Sequence, residues 1–154
     1  MKKILIVEDE QRKLDSIKEF LTNEFPKFEY VEKRSYNSAT KEIFENYKDY
    51  DIILLDMSMT TYDVTADESG GVPEPLAGAN ILDTMYLMDI TTKVVVVTMY
   101  ESFVGKKLSE FDIELKSNYP DNYLGFVFFS YKKTDWQIKL KTYITSYYDK
   151  NTNC

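Results

Sequence analysis

Residues 4–9 read Ile4-Leu5-Ile6-Val7-Glu8-Asp9, an apolar run delivered straight onto two carboxylates. The pattern returns at residues 52–56, Ile52-Ile53-Leu54-Leu55-Asp56. Apolar runs with no polar alternation belong to strands covered on both faces, as in a parallel sheet sandwiched between helices. In a doubly wound sheet of order 2-1-3-4-5 the first and third strands are neighbours, and ligands bind in the crevice beyond their carboxyl ends. Glu8, Asp9 and Asp56 would meet there. Carboxylates so gathered repel one another unless a cation neutralises them, and hard oxygen donors suit Mg²⁺. A divalent metal is thus implied by the residues themselves.

Working outward from these runs, the chain alternates between the two periodicities. Leu14, Ile17, Phe20 and Leu21 recur at helical spacing, so Gln11 to Phe25 reads as a first helix that Pro26 ends. Phe28, Tyr30 and Val31 mark a short second strand. Asn37 or Ser38 can cap a second helix carrying Ala39, Ile43, Phe44 and Tyr47. Gly78 to Met88 reads as a third helix and the β-branched run Lys93 to Val97 as a fourth strand. A fourth helix falls between Phe103 and Lys116, a fifth strand spans Leu124 to Phe129, and Trp136, Leu140, Tyr143, Ile144 and Tyr147 stripe a last helix. Alternating strands and helices predict an α/β fold, flavodoxin-like, with five parallel strands and helices on both faces.

Length and charge narrow the function. A chain of 154 residues suits one domain with a substantial core. A domain over residues 1–149 and a short tail at 150–154 are expected. The net charge of -7 argues against nucleic-acid binding, which needs a basic face. Neither a signal-peptide core nor a run of membrane-spanning length is present in the sequence, so a cytoplasmic protein without membrane contact is expected. The single cysteine, Cys154, forms no internal disulfide, and the absence of histidine excludes His-based triads and phosphohistidine. Thirteen tyrosines read as amphipathic filling rather than as a stacking platform.

Taken together, ILIVEDE, DIILLDM and VVVVTMY, followed by the late Lys132, resemble the receiver domain of bacterial two-component response regulators, the CheY-like family. The resemblance covers nearly the whole chain. It implies that Asp56 accepts a phosphoryl group, that Asp9 binds Mg²⁺ directly and Glu8 largely through water, and that Asp56 and the backbone carbonyl of Ser58 complete the metal site. It implies that Thr98 and Lys132 sense the phosphoryl group and that Phe129, three residues before Lys132, is the switch aromatic; a slip of one residue would pass the lysine's role to Lys133. It further implies a sensor histidine kinase or other phosphodonor as partner. Output would pass to a downstream protein or a homodimer through the fourth helix, fifth strand and fifth helix. No activity on a separate substrate is expected beyond self-phosphorylation and slow self-dephosphorylation.

Several features depart from that pattern. Met99 is large where the family keeps a small residue, Thr60 stands where proline is frequent, and Lys133 follows Lys132 where proline is common. Residues 60–77, TTYDVTADESGGVPEPLA, replace a short turn with a loop rich in Asp, Gly and Pro beside Asp56. That loop reads either as a lid or partner element or as a tolerated insertion. Glu110 to Tyr123 is a second long segment, carrying the turn signal Tyr119-Pro120-Asp121-Asn122. Phe103, Phe111, Tyr119, Tyr123, Phe129, Tyr131 and Trp136 concentrate rings on the proposed output face, and some are expected to be exposed.

Two other readings compete. One is a receiver-fold interaction or adaptor module that works without phosphorylation. The other is a haloacid-dehalogenase-like phosphatase, since Asp56-Met57-Ser58-Met59-Thr60 partly mimics a DxDxT nucleophile motif; Ser58 stands where that chemistry needs its second Asp, which counts heavily against it.

Overall fold

The structure, a computed structural model, describes residues 2–64, 70–71, 73–103 and 105–152. Along the chain run β1 (Lys3–Val7), α1 (Gln11–Glu24), β2 (Glu29–Lys33), α2 (Tyr36–Asn46), a 3-10 turn (Tyr47–Asp49), β3 (Ile52–Leu55), β4 (Met59–Thr60), β5 (Pro73–Glu74), α3 (Ala77–Leu87), β6 (Lys93–Thr98), β7 (Ser102–Phe103), β8 (Lys106–Lys107), α4 (Leu108–Asn118), β9 (Tyr123–Phe128) and α5 (Asp135–Thr152). The main sheet has five strands in the order β2-β1-β3-β6-β9, every neighbouring pair parallel. This is the doubly wound order that the two apolar runs predicted.

Alternation along the buried strands divides the core into two layers. Ile4, Ile6, Ile52, Leu54, Val95 and Val97 face α1 and α5, where Leu14, Ile17, Leu21, Leu140 and Ile144 meet them. Leu5, Val7, Ile53, Leu55, Val94 and Val96 face the opposite way, against Ile43, Ile81, Leu82 and Phe111 of the other helices. The central strands β1, β3 and β6 therefore have no polar side, which is why their sequences show no period of two.

Local chemistry moves some boundaries. The cap of α2 is Ser35, whose Oγ accepts from the Ser38 amide at 3.1 Å, instead of Asn37 or Ser38. Both of those lie one residue or more inside the helix, and Ser38 completes the cap by donating to it. The last helix runs to Thr152, so residues 150–152 extend α5 and the expected tail shrinks; Cys154 lies outside the described residues. Most of the long segment Glu110 to Tyr123 is the helix α4.

The 60–77 segment is more than a loop. Met59 and Thr60 pair antiparallel with Glu74 and Pro73, and the Tyr62 amide donates to the Gly70 carbonyl at 2.9 Å. Residues 65–69 and 72 lie outside the described residues. The hairpin is fastened to α2: the Asn37 amide donates to the Thr61 carbonyl at 2.9 Å and the Ser38 hydroxyl to Asp63 at 3.0 Å. Its far end enters α3 beside Gly78. A Cβ at Gly78 would lie 2.7 Å from the Asp56 carbonyl oxygen, so only glycine lets α3 start so close to the end of β3.

The expected exposed rings of the output face are mostly core. Phe111, Tyr123, Phe129 and Trp136 are buried, Tyr119 and Tyr131 half-buried, and the Phe103 ring lies outside the described residues. The exposed apolar side chains on this face are instead Ile113 of α4, Phe128 of β9 and Ile138 of α5. Aromatic density there fills the two layers because strand and helix both turn their rings inward.

Candidate functional site

The carboxyl ends of β1 and β3 bring the predicted acids together. The Asp56 amide donates to the Val7 carbonyl at 3.1 Å, carrying the β1–β3 pairing one residue beyond the strands, and the Glu8 amide donates to Lys33 at 3.0 Å. One carboxylate oxygen from each of Glu8, Asp9 and Asp56 lies within 4.8 Å of the others. Glu8 and Asp56 are buried, Asp9 half-buried. They line a cavity of about 200 Å³ with Glu10, Lys13, Ser58, Thr60, Met99 and Tyr100. Ser58 and Met99 thus line the same cavity as the acids.

Backbone amides fix the acids. Asp56 Oδ1 accepts from the Met57 amide at 2.8 Å, Asp9 Oδ2 from Thr60 at 3.2 Å, and Glu8 Oε2 from Glu10 at 3.2 Å. The hairpin therefore contributes directly to the site through Thr60.

One participant was not predicted. Lys13, on α1, is only 1% exposed. Its Nζ lies 2.5 Å from Glu8 Oε1 and 3.4 Å from Asp56 Oδ2, and donates to the Val97 carbonyl at 2.8 Å. A signal for it existed: Lys13 sits one turn before Ile17 on the same helical face, next to Leu14, in the stripe that packs on the sheet. A lysine in such a stripe is readily taken for solvent-facing, since lysines are almost never fully buried unless paired.

Charge in this pocket is held at a cost. Burial first, then the negative charge of Asp56, pushes the Glu8 carboxyl up to about 9, with Lys13 opposing the rise. Burial likewise raises Asp56, opposed by Lys13. Burial works against the Lys13 charge, yet Asp56 and Glu8 outweigh it and hold its pKa above the ordinary lysine value. The cluster is electron-rich, short of positive charge, and built of hard oxygen donors, so its residues fit a divalent cation such as Mg²⁺.

The later site residues are placed differently from the acids. Thr98 is fully buried at the end of β6, its hydroxyl accepting from the Tyr100 amide at 3.1 Å, and it does not line the cavity. Phe129 follows β9, its amide donating to the Thr98 carbonyl at 2.7 Å, and its ring is buried 4.8 Å from Trp136 on the α1 and α5 side. Lys132 and Lys133 are exposed, and neither pairs with Glu8, Asp9 or Asp56. The reason lies in Tyr131, whose hydroxyl donates to Glu10 at 2.7 Å under the Arg12 guanidinium, drawing the chain across the start of α1 before Lys132 begins. Residues after Phe129 are already leaving the sheet's edge.

A parallel sheet of this order, with three acids meeting at its carboxyl edge, defines a receiver-type α/β domain. The chain belongs to the CheY-like response-regulator receiver family. No protein-family model matches it. It is 31% identical over 148 residues to the Detocs response regulatory protein DtcB of Enterobacter cloacae, a match covering 93% of this chain and 98% of that protein. A response-regulator receiver domain from Clostridium thermocellum superposes with a TM-score of 0.66 at 19% identity, covering 99% of this chain and 98% of the other. The response regulator TrrA of Thermotoga maritima, in a structure described as a complex with Mg(2+)-BeF, gives a TM-score of 0.60 at 22% identity over 96% of this chain and 99% of its own. Among the described residues no helix is long and apolar enough to cross a membrane.

Proposed function

We propose that this chain is a phosphoacceptor receiver: Asp56 takes a phosphoryl group from a histidine kinase or a small phosphodonor, and the signal leaves by altered protein contacts. The observation that carries this reading is the meeting of Glu8, Asp9 and Asp56 within 4.8 Å at the carboxyl edge of the sheet. The family and the Mg(2+)-BeF complex of a structural relative support it. With acetyl phosphate as donor, a carboxylate oxygen of Asp56 forms the new bond to phosphorus, the bond from phosphorus to the acetyl oxygen breaks, and acetate leaves with that electron pair. Mg²⁺, held by Asp9, Asp56 and the Ser58 carbonyl with Glu8 nearby, would supply charge neutralisation to the transferring group. The Met57 amide holds one Asp56 oxygen in place, and the Thr60 amide orients Asp9. Met99 and Tyr100 narrow the approach.

Output is assigned to α4, β9 and α5, where Ile113, Phe128 and Ile138 are exposed, with a downstream protein or a second copy as partner. A cytoplasmic setting fits such a partner.

A receiver-fold adaptor that never carries phosphate is the second reading. Lys13 favours it, because its ammonium already pairs with Glu8 and Asp56 without any metal. Intact mass after incubation with acetyl phosphate and Mg²⁺ separates the two. One added phosphoryl group that disappears in Asp56→Asn is the expected result; an unmodified wild-type chain would establish the adaptor.

A further inference from the structure

We propose that Lys13, delivered from α1, is the residue that pairs with the phosphoryl group on Asp56, and that no lysine following β9 takes part. The inference rests on the phosphoacceptor reading and assigns a residue to it.

Three features of the site carry it. Lys13 is the one Lys or Arg among the described residues lining the cavity; Arg34 approaches from outside and reaches only the Asp9 backbone carbonyl, at 3.3 Å. An ammonium has three protons to donate, and two are committed at short range, to Glu8 at 2.5 Å and Val97 at 2.8 Å. The third neighbour, Asp56 Oδ2 at 3.4 Å, is farther than a charge-assisted hydrogen bond of about 2.7–2.9 Å. Nζ is therefore held beside the acceptor oxygen, its third donor in a long ion-pair contact with Asp56 and placed to pass to an oxygen that the acceptor later carries.

The third feature is Phe129. Pairing of Thr98 with Phe128 and the bond from the Phe129 amide to Thr98 put Phe129 at the first position beyond β9, level with the end of β6. A side chain entering the α1 side of the site from this strand must leave from Phe129, and what leaves is a ring whose centroid is 5.9 Å from Lys13 Nζ. The ring and the ammonium stem share one small volume. A cation reaching this point from α1 and an apolar side chain reaching it from β9 exclude a second cation from β9. Lys132, three residues farther on, is already outside.

Chemically the pairing needs no proton transfer. Phosphorylation replaces the Asp56 carboxylate by an acyl phosphate with more negative charge, and Lys13 turns the donor that faced the carboxylate onto a phosphoryl oxygen. Because Lys13 also holds the Val97 carbonyl, any shift of Nζ is felt at the end of β6, next to Thr98.

The test compares wild type, Lys13→Met, Lys132→Ala, Lys133→Ala and the double variant Lys13→Met with Phe129→Lys. Phosphorylation by acetyl phosphate is followed by intact mass, and Mg²⁺ affinity by calorimetry with no phosphodonor present. Lys13→Met is expected to slow phosphorylation by about tenfold or more while tightening Mg²⁺ binding by about tenfold, since a positive charge has left the acid cluster. Tighter Mg²⁺ binding is a change that mere loss of folding would not produce. The double variant should regain phosphorylation, the cation now arriving from β9, and the Lys132 and Lys133 variants should stay within about twofold of wild type. Slowing in Lys132→Ala or Lys133→Ala with wild-type rates in Lys13→Met would overturn the assignment. Weaker Mg²⁺ binding together with lost phosphorylation in Lys13→Met would reduce Lys13 to a structural group and overturn it too. Absence of any adduct on wild type would instead bring down the phosphoacceptor reading itself, and is seen before any variant is compared.

Discussion

Glu8 carries the largest electrostatic consequence of any single residue. Its carboxyl titrates near 4.5 in an unfolded chain and near 9 in the folded one, driven by burial and by Asp56. Between those values the folded chain keeps a proton that the unfolded chain has released, so stability falls as pH rises across that window. Asp56 is shifted in the same direction and adds to the slope. Lys13 is raised above an already high value, so its contribution is present below its unfolded pKa and is lost only at pH above this window. Metal-free protein should therefore have a higher Tm at pH 6 than at pH 8.5, by up to about 1.4 kcal/mol of stability per pH unit for each such proton. Glu8→Gln should flatten the slope, and thermal melts in chelator at several pH values measure it; an equally steep Gln variant would place the titrating group elsewhere. The acids were legible in the sequence because a strand end leaves its last side chains no other place to go. Lys13 was legible only as a position on the packed face of α1, since helical periodicity names a face but leaves open whether a lysine there folds inward or snorkels out. The exposed position of Lys132, apart from the acids, was not legible for a related reason: spacing along the chain takes no account of the Tyr131 contact with Glu10 that carries the segment off the sheet.

At the scale of elements, composition identified residues 60–77 as irregular and long, but it contained no information about what the segment would touch. The antiparallel pairing of β4 with β5 depends on two residues at each side, too few to leave a periodicity. Its functional weight lies in the Thr60 amide, which donates to Asp9 Oδ2 at 3.2 Å. Thr60→Pro removes that donor, and proline in its fixed φ also strains the short strand. Loss of a hydrogen bond to a half-buried charged group such as Asp9 costs about 1–2 kcal/mol. We expect the variant to lose stability in urea by about that amount and to bind Mg²⁺ more weakly, because Asp9 is no longer held toward the other acids. Unchanged Mg²⁺ titration with lowered stability would make the hairpin a fastening for α2 alone, and unchanged values of both would remove it from the site altogether.

Across the whole molecule, the proposed phosphoacceptor end and the proposed output face are joined through β6 and β9. The end of β6 is held by Lys13 at Val97, and β9 pairs with β6 up to Phe128, which is exposed, as are Ile113 of α4 and Ile138 of α5. Ile113 and Ile138 are 69% and 70% exposed, a large apolar area to leave in water on a helical surface. Lys139 lies over the Phe126 ring at 3.9 Å, bringing a positive charge from α5 onto β9. If two copies meet here, each brings a net charge of -7, so their long-range repulsion opposes the apolar contact and is screened by salt. Self-association should therefore strengthen from about 50 to 300 mM salt, the opposite of an interface made of ion pairs. Sedimentation with Mg²⁺ and beryllofluoride is expected to show more dimer than either the metal-free protein or the Ile113→Glu, Ile138→Glu variant, which should still accept phosphate on Asp56 at the wild-type rate. In amide exchange the same ligand should protect α4, β9 and α5. Protection confined to the described residues of the 60–77 hairpin, with α4, β9 and α5 unchanged, would make the hairpin the surface through which the signal leaves.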